Sequence, residues 1–189
     1  NQRVRAVDSG GTITTIAGTS TAILGSYSGD GGLATNATFN SIVAGAIDGN
    51  GVFSVADSGN QRVRRVIVGG NVDTIAGGSN LTGDGGPAID SNLFAPYGVA
   101  RGGNGDLLFT DRAGQRVRQI DPSGIITTVA GSDTSGYNGD GSTAVGANFN
   151  APTGISINVA GNFYVADREN NRIRKVNDSS GLIETVAGV

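Results

Sequence analysis

The chain has 189 residues, a formal net charge of −3, and no cysteine, histidine, methionine or tryptophan. Glycine accounts for 33 residues, more than twice the share of roughly 7% that is usual in proteins, which indicates a chain dense in turns. No apolar run approaches the roughly 20 residues that a membrane-spanning helix needs. Without cysteine and histidine the chain has no thiol or imidazole nucleophile and none of the zinc sites that these side chains build.

In chain order, three motifs recur with a common spacing. An arginine motif appears as NQRVRAV at 1–7, NQRVRRV at 60–66, GQRVRQI at 114–120 and NRIRKV at 171–176. A second motif follows it each time, as TITTIAG at 12–18, VDTIAG at 72–77, ITTVAG at 126–131 and IETVAG at 183–188. A glycine-rich motif lies between each IAG or VAG motif and the next arginine motif, as GDGG at 29–32 and 83–86 and as GDGS at 139–142. Three motifs on one period indicate a repeat protein.

Each full period holds four short β-rich runs, A to D, bounded by glycine, asparagine or aspartate. Run A covers 42–47, 97–101 and 154–158, and run B covers 52–57, 107–111 and 163–167. Run C carries the arginine motif and run D the IAG or VAG motif. Tight turns rich in glycine and asparagine join A to B, which predicts antiparallel pairing. No run has the 3.6-residue period of a sustained helix.

Run C indicates that the sheets have neighbours on both faces. In its second copy, Arg62, Arg64 and Val66 share one face while Val63 and Arg65 share the other, so neither face is wholly apolar or wholly polar. Repeated four-stranded sheets that pack on both faces are blades of a β-propeller. Small residues dominate run A, as crowding at an innermost strand requires. The sequence therefore predicts an all-β fold.

The run NFYVADRENNRIRKV at 162–176, preceded by APTGISI at 151–157, resembles the NHL repeat. The GDGG loops are similar to those in the long NHL repeats of secreted and cell-surface proteins. This resemblance covers essentially the whole chain and implies a β-propeller with one blade per repeat. The first complete repeat departs from the pattern, because Ile42 and Ala44 stand where the other two repeats have proline and glycine.

Counting strands divides the chain into three and a half blades. We predict one propeller segment over 1–189, composed of four-stranded antiparallel blades at 41–77, 97–131 and 153–188 and a C–D half blade at 1–18, joined by the long GDGG loops. Three and a half blades cannot close a ring. We therefore expect either a stretch of a longer chain or edge-to-edge assembly with further copies.

Each GDGG or GDGS motif carries one aspartate, Asp30, Asp84 and Asp140. Carboxylates beside glycine carbonyls suit calcium, but one per motif is too few for a dedicated site. An aspartate that caps its own glycine-rich turn is the favoured interpretation. We predict no metal site and no cofactor.

Eight of the arginines form four pairs in the arginine motif, namely Arg3 and Arg5, Arg62 and Arg64, Arg116 and Arg118, and Arg172 and Arg174. As a basic stripe they would suit RNA, which some intracellular NHL proteins bind. However, Asp57, Asp111 and Asp167 each precede a pair by five residues, which favours internal ion pairs. The negative net charge and the few aromatic residues also argue against nucleic acid as a partner.

Three sequons, at Asn36, Asn80 and Asn177, are candidate sites for N-linked glycans. The resemblance also includes propeller lyases, whose axial sites use histidine, and lactonases that hold calcium. The sequence has no histidine and only two glutamates, so we predict that it is not an enzyme. The predicted function is a non-catalytic extracellular or cell-surface scaffold or protein-interaction module within a larger surface or filamentous assembly. Its partners would be proteins or further copies of the chain. The alternatives are a ligand- or RNA-binding NHL propeller and a calcium-dependent lyase or lactonase.

Overall fold

The computed structural model describes residues 2–19, 26–79 and 83–188. Within these ranges the chain forms 14 β-strands and five 3-10 helices of three residues each. The 3-10 helices are Ala34–Asn36, Ser58–Asn60, Ala88–Asp90, Ala144–Gly146 and Arg168–Asn170. Helices as long and apolar as a membrane crossing requires do not occur in the described ranges.

The strands form one two-stranded sheet and then three four-stranded antiparallel sheets, each with its strands in chain order. The half blade consists of β1 (Val4–Val7) and β2 (Ile13–Ala17). Blade 1 consists of β3 (Ile42–Ile47), β4 (Val52–Asp57), β5 (Arg62–Ile67) and β6 (Val72–Ala76). Blade 2 consists of β7 (Pro96–Arg101), β8 (Leu107–Asp111), β9 (Arg116–Ile120) and β10 (Ile126–Ala130). Blade 3 consists of β11 (Pro152–Ile157), β12 (Phe163–Asp167), β13 (Arg172–Val176) and β14 (Ile183–Ala187).

These sheets confirm the predicted all-β fold of four-stranded antiparallel blades with a C–D half blade. The starts of two A strands differ from the prediction, because β7 begins at Pro96 and β11 at Pro152. A proline is tolerated as the first residue of a strand, where no N–H is needed for the ladder. The register then shifts before Val99 and Ile155, so each A strand enters its blade through a bulge.

The core lies between successive blades. The cluster between blades 1 and 2 is typical: it joins the C and D strands of blade 1, through Val63 and Ala76, to the B strand of blade 2, through Phe109. The connecting loop contributes Ala88 and Leu93 to the same cluster. The other two clusters are built in the same way around Phe39 and Phe149. The loop that joins two blades is therefore also a layer of the core between them.

The glycine of the IAG motif is required by close backbone contact. Gly77 has φ +76° and follows β6, where a Cβ would lie 2.2 Å from the carbonyl oxygen of Gln61. Gly131 repeats this arrangement, with φ +98° and a Cβ position 2.3 Å from the oxygen of Gln115. Any side chain here would collide with the B–C turn, so the D strand can end against that turn only with glycine.

Candidate functional site

The GDGG loops cover the outer edges of the blades. The amide of Gly31 donates to the carbonyl oxygen of Val72 at the start of β6 over 2.9 Å. The amides of Gly85 and Gly141 make the equivalent bonds to Ile126 and Ile183 at 2.8 Å. Strand D is the outermost strand of each sheet, and an uncovered edge invites pairing with other chains. The loops therefore protect the edges of the blades that follow them.

The same loops also bond back to the preceding blade. The amide of Gly77, after the D strand of blade 1, donates to the oxygen of Ala88 over 3.1 Å, and Gly131 donates to Ala144 over 2.9 Å. Because each loop is bonded to the blades before and after it, it fixes their relative position.

The C strand of each four-stranded blade carries one buried arginine. Arg64 has no exposed side-chain surface, and its Nη2 donates to Asp30 Oδ1 over 2.7 Å while Nη1 lies 3.4 Å from Asp57 Oδ2. Arg174 repeats both contacts, at 2.8 Å to Asp140 and 3.5 Å to Asp167. A buried charge is tolerated only when it is paired and hydrogen-bonded, and two carboxylates supply that here.

Tyrosines cover these arginines in blades 1 and 3. The guanidinium carbons of Arg62 and Arg64 lie 3.9 Å and 4.7 Å from the centroid of the Tyr27 ring. Those of Arg172 and Arg174 lie 4.0 Å and 5.0 Å from Tyr137. These are cation–π distances. Each tyrosine hydroxyl also donates to the aspartate of its own GDGG loop.

The arginines of blade 2 have different partners from those of blades 1 and 3. Its sequence has Leu81 at the position of the two tyrosines, a residue outside the described ranges. Arg118 is buried and paired with Asp84 at 2.7 Å. Arg116, which has no ring to cover it among the described residues, pairs instead with Asp133 at 2.9 Å and with Asp111 at 3.5 Å.

The pKa values of the two carboxylates around Arg64 are shifted in opposite directions. Burial raises the pKa of Asp30, but hydrogen bonds from Tyr27 and Thr74 and the charge of Arg64 outweigh it, so this pKa lies below its ordinary value. Asp57 is more deeply buried, and there the burial outweighs Arg64 and raises the pKa above its ordinary value. The pair thus holds one carboxyl ionised more firmly and the other less firmly than in water.

The predicted internal ion pairs are present, but with a different arginine in two blades. The aspartate that ends strand B pairs with the residue five positions later only in blade 2, as Asp111 with Arg116. Asp57 and Asp167 pair with the arginine seven positions later, Arg64 and Arg174. In blades 1 to 3 one arginine of each pair is buried, namely Arg64, Arg118 and Arg174, which argues against the continuous basic stripe that RNA contacts would need.

The GDGG aspartates bond to arginine rather than to their own turns. Asp30, Asp84 and Asp140 accept hydrogen bonds from Arg64, Arg118 and Arg174. In the part of the chain that the structure describes, no three aspartate or glutamate side chains lie close enough together to hold a metal ion. The role of these aspartates in the structure is to link loop and blade.

The three sequons fall in different surroundings. Asn36 ends a 3-10 helix and is exposed. Asn177 lies in the C–D turn of blade 3, half-buried, and its Oδ1 accepts hydrogen bonds from Ser179 and Ser180. Asn80 lies outside the described residues. N-glycosylation of these asparagines remains a prediction.

One blade face is open. Ile173 in β13 is 37% exposed, whereas the equivalent Val63 and Val117 of blades 1 and 2 are fully buried. Ala187 is likewise exposed where Ala76 and Ala130 are buried. With Val186, 46% exposed, these residues form an apolar surface on the side of blade 3 away from blade 2, which we call the open face.

The geometry thus defines the described chain as a series of β-propeller blades. The model of the NHL repeat matches residues 149–176, where the chain runs from the loop before blade 3 to the end of β13. The matched segment, which covers most of blade 3, is an NHL repeat.

Curated relatives match the chain over limited lengths. Teneurin-3 of Danio rerio is 36% identical over 112 residues, which is 56% of this chain and 4% of that protein. Protein SUPPRESSOR OF QUENCHING 1, chloroplastic, of Arabidopsis thaliana is 29% identical over 126 residues, which is 58% of this chain and 12% of that protein. The chain therefore spans only a small part of these curated relatives.

Among solved structures, a streptogramin B lyase superposes with a TM-score of 0.60 at 16% identity. The superposition covers 97% of this chain and 47% of the lyase. At this identity the likeness shows a common propeller fold and carries no information about activity.

Proposed function

We propose that the protein is a non-catalytic interaction module of an extracellular or cell-surface scaffold, and that its open face contacts a further blade of the NHL type. The observation that carries this proposal is the exposure of Ile173 at a position that is fully buried in both other blades. Exposed apolar surface that is buried in equivalent units is typical of an interaction site.

The other interfaces define the chemistry of the partner. Over blade 1, the position equivalent to the open face is covered by Ala88 and Leu93, and over blade 2 by Ala144 and Phe149. These segments also supply the carbonyl oxygen that accepts the glycine amide after strand D. The amide of Gly188 has no such acceptor among the described residues. A matching partner therefore presents a small-residue turn, a carbonyl oxygen and a leucine or phenylalanine.

The experiment is to append a second copy of residues 132–188 directly after Gly188 and to measure amide hydrogen exchange in blade 3. We expect the Gly188 amide to exchange at least about tenfold more slowly and the melting temperature to rise, since the open face becomes a buried interface. The matched control carries Phe149→Asp in the appended copy only and should lose both effects. Unchanged exchange in the fusion, with both copies folded, would contradict the proposed contact.

The non-catalytic part of the proposal is supported by the chemistry of the polar residues. The sequence has no histidine or cysteine, and the aspartates at the blade centres are engaged by arginines. Hydrolysis of a lactone or elimination from a streptogramin by the purified chain, abolished by substitution of a single carboxylate, would contradict it.

The extracellular location is supported by the similarity to part of a teneurin and by the exposed sequon at Asn36. The plant relative is by name chloroplastic, so the location needs its own experiment. We expect the chain, secreted from eukaryotic cells with an added leader, to lose mass on treatment with a peptide N-glycosidase. Asn36→Gln should remove one glycan, and an unchanged mass in the parent chain would remove the support that the sequon at Asn36 gives to this location.

A further inference from the structure

A cleft of about 510 Å³ lies between blades 2 and 3, at the end where the A–B and C–D turns are. Blade 2 forms one wall with its A–B turn, residues 102–106, and with Gln119. Blade 3 forms the other with residues 157–161, with Phe163, and with Asn177, Asp178 and Gly181 of its C–D turn. A concave site of this volume, with apolar walls and a few polar groups, is typical of small-molecule binding.

Several residues that line the cleft differ from the residues at the equivalent positions of blades 1 and 3. Asp106 stands where blades 1 and 3 have Val52 and Asn162, and Leu108 stands where they have Ser54 and Tyr164. Both residues line the cleft.

Gln119 is the third departure that lines the cleft. The other blades have Arg65 and Lys175 at its position, each paired across strands C and D with an acidic residue. Blade 2 has Thr127 in place of that acid, so Gln119 makes a different contact and its Nε2 donates to Asp106 Oδ2 over 2.8 Å.

The equivalent cleft between blades 1 and 2 is lined by a basic side chain of the protein itself. Arg101, at the end of β7, lies there with its Nη1 3.4 Å from Ser54 Oγ and its Nη2 3.8 Å from Asp48 Oδ2. In blade 3 the position of Arg101 is taken by Ile157. The first cleft is therefore lined by a cation of the protein and keeps an open volume of about 370 Å³. The second cleft lacks that cation and carries its carboxylate at Asp106, where blade 1 has Val52.

The charge and polarity of the second cleft indicate what it would bind. Asp106 is 9% exposed, and its Oδ2 accepts hydrogen bonds from Asn104 and Gln119. Its Oδ1 accepts none from the described residues. Asp178 adds a second carboxylate, and among the described lining residues none is a lysine or arginine. Apolar contact is available from Leu108 and other aliphatic and aromatic side chains of the wall.

We propose that the cleft between blades 2 and 3 binds a cation with an apolar body, an alkylammonium group, whose charge is recognised by Asp106. A buried carboxylate with a free acceptor favours a positively charged donor, and the apolar wall accommodates the attached carbon chain. In the neighbouring cleft the guanidinium group of Arg101 lies near a carboxylate in a comparable way, 3.8 Å from Asp48 Oδ2. The ammonium group is that of a small amine or of a lysine side chain on another protein.

The test is an NMR titration of the ¹⁵N-labelled protein with n-butylammonium, with n-butanol and glucose as uncharged probes. We expect shifts at the amides of Gly103 and Gly161 and at the side-chain amides of Asn104 and Gln119 with n-butylammonium only, weakening as salt is added. A blocked Gly-Lys-Gly peptide, titrated in parallel, distinguishes a protein lysine from a free amine.

Two variants and a control complete the experiment. Asp106→Asn should weaken n-butylammonium binding at least about tenfold, and Asp90→Asn, the same charge change outside the cleft, should leave it unchanged. Ile157→Arg places a guanidinium group in the cleft, as Arg101 does in the neighbouring one, and should abolish n-butylammonium binding while Asp106 stays in place. This variant keeps the proposal testable if Asp106→Asn fails to fold. An equal response to n-butanol or glucose, or full binding by Ile157→Arg, would overturn the proposal.

Discussion

Arg64 and Asp30 lie 34 residues apart in the chain, and the structure joins them through a 2.7 Å bond between Nη2 and Oδ1. Arg118 and Asp84, and Arg174 and Asp140, have the same separation and the same bond. One residue is in strand C and the other in the loop before the blade, so each pair closes a whole repeat on itself. The repeat unit defined by these contacts runs from a GDGG loop to the following D strand.

Asp30→Asn should lower the free energy of unfolding by about 1 kcal/mol at neutral pH, a value reduced by the partial exposure of Asp30. Because the pKa of Asp30 is lowered in the folded state, its contribution is complete above the unfolded pKa, near 4, and is lost as the pH falls through the folded value. Urea denaturation at several pH values should show the two proteins converging at acid pH. Asp90→Asn is the control, and a difference that persists in strong acid would contradict this role.

Arg64→Met should cost more, about 3–5 kcal/mol, because it leaves the buried Asp57 without its cation. Burial already raises the pKa of Asp57, and loss of Arg64 should raise it further. The deficit should therefore be largest at neutral pH and shrink as the pH falls and Asp57 binds a proton. Arg62→Met removes a cation that lies over Tyr27 and should cost only about 1 kcal/mol. Similar losses in both variants would show that burial of the charge is not the cause.

The local features of the fold could be predicted from the sequence because they depend on local rules. Period-two runs and glycine turns fix strands and hairpins, and the repeat fixes their number. The sequence predicted that Asp57 pairs with Arg62, which does lie directly opposite it in the ladder. The prediction was wrong in the partner, because the long side chain of Arg64 reaches Asp57 from the same face. Local spacing cannot show this reach.

Two other features left a trace in the sequence that only comparison of the repeats would show. The constant separation of 34 residues between Asp30 and Arg64 in all three copies links the loop to the strand. The departures of Asp106 and Gln119 from their repeat positions mark the cleft. Neither trace gives a three-dimensional position, because the cleft lies between blades and depends on how they pack.

Gly131→Ala should be strongly destabilising, because the added Cβ would lie 2.3 Å from the backbone oxygen of Gln115. Gly124 is the matched control: its φ of +83° is similar, but no atom lies within 4 Å of its Cβ position. Gly124→Ala should thus cost only the backbone strain, about 1 kcal/mol, and Gly131→Ala at least about 2 kcal/mol more. Urea denaturation measures both, and equal losses would mean that backbone strain alone explains the motif.

Val63→Asp and Ile173→Asp place a carboxylate at the same position of strand C in blades 1 and 3. Val63 is fully buried between blades, so its replacement should cost about 4 kcal/mol or more and prevent cooperative folding of blade 1. Ile173 is on the open face and 37% exposed, so Ile173→Asp should change the stability of the chain by less than about 1 kcal/mol. In the fusion with a second copy of residues 132–188, the same Ile173→Asp should become as costly as Val63→Asp. A severe loss in the unfused chain would show that the open face is already covered.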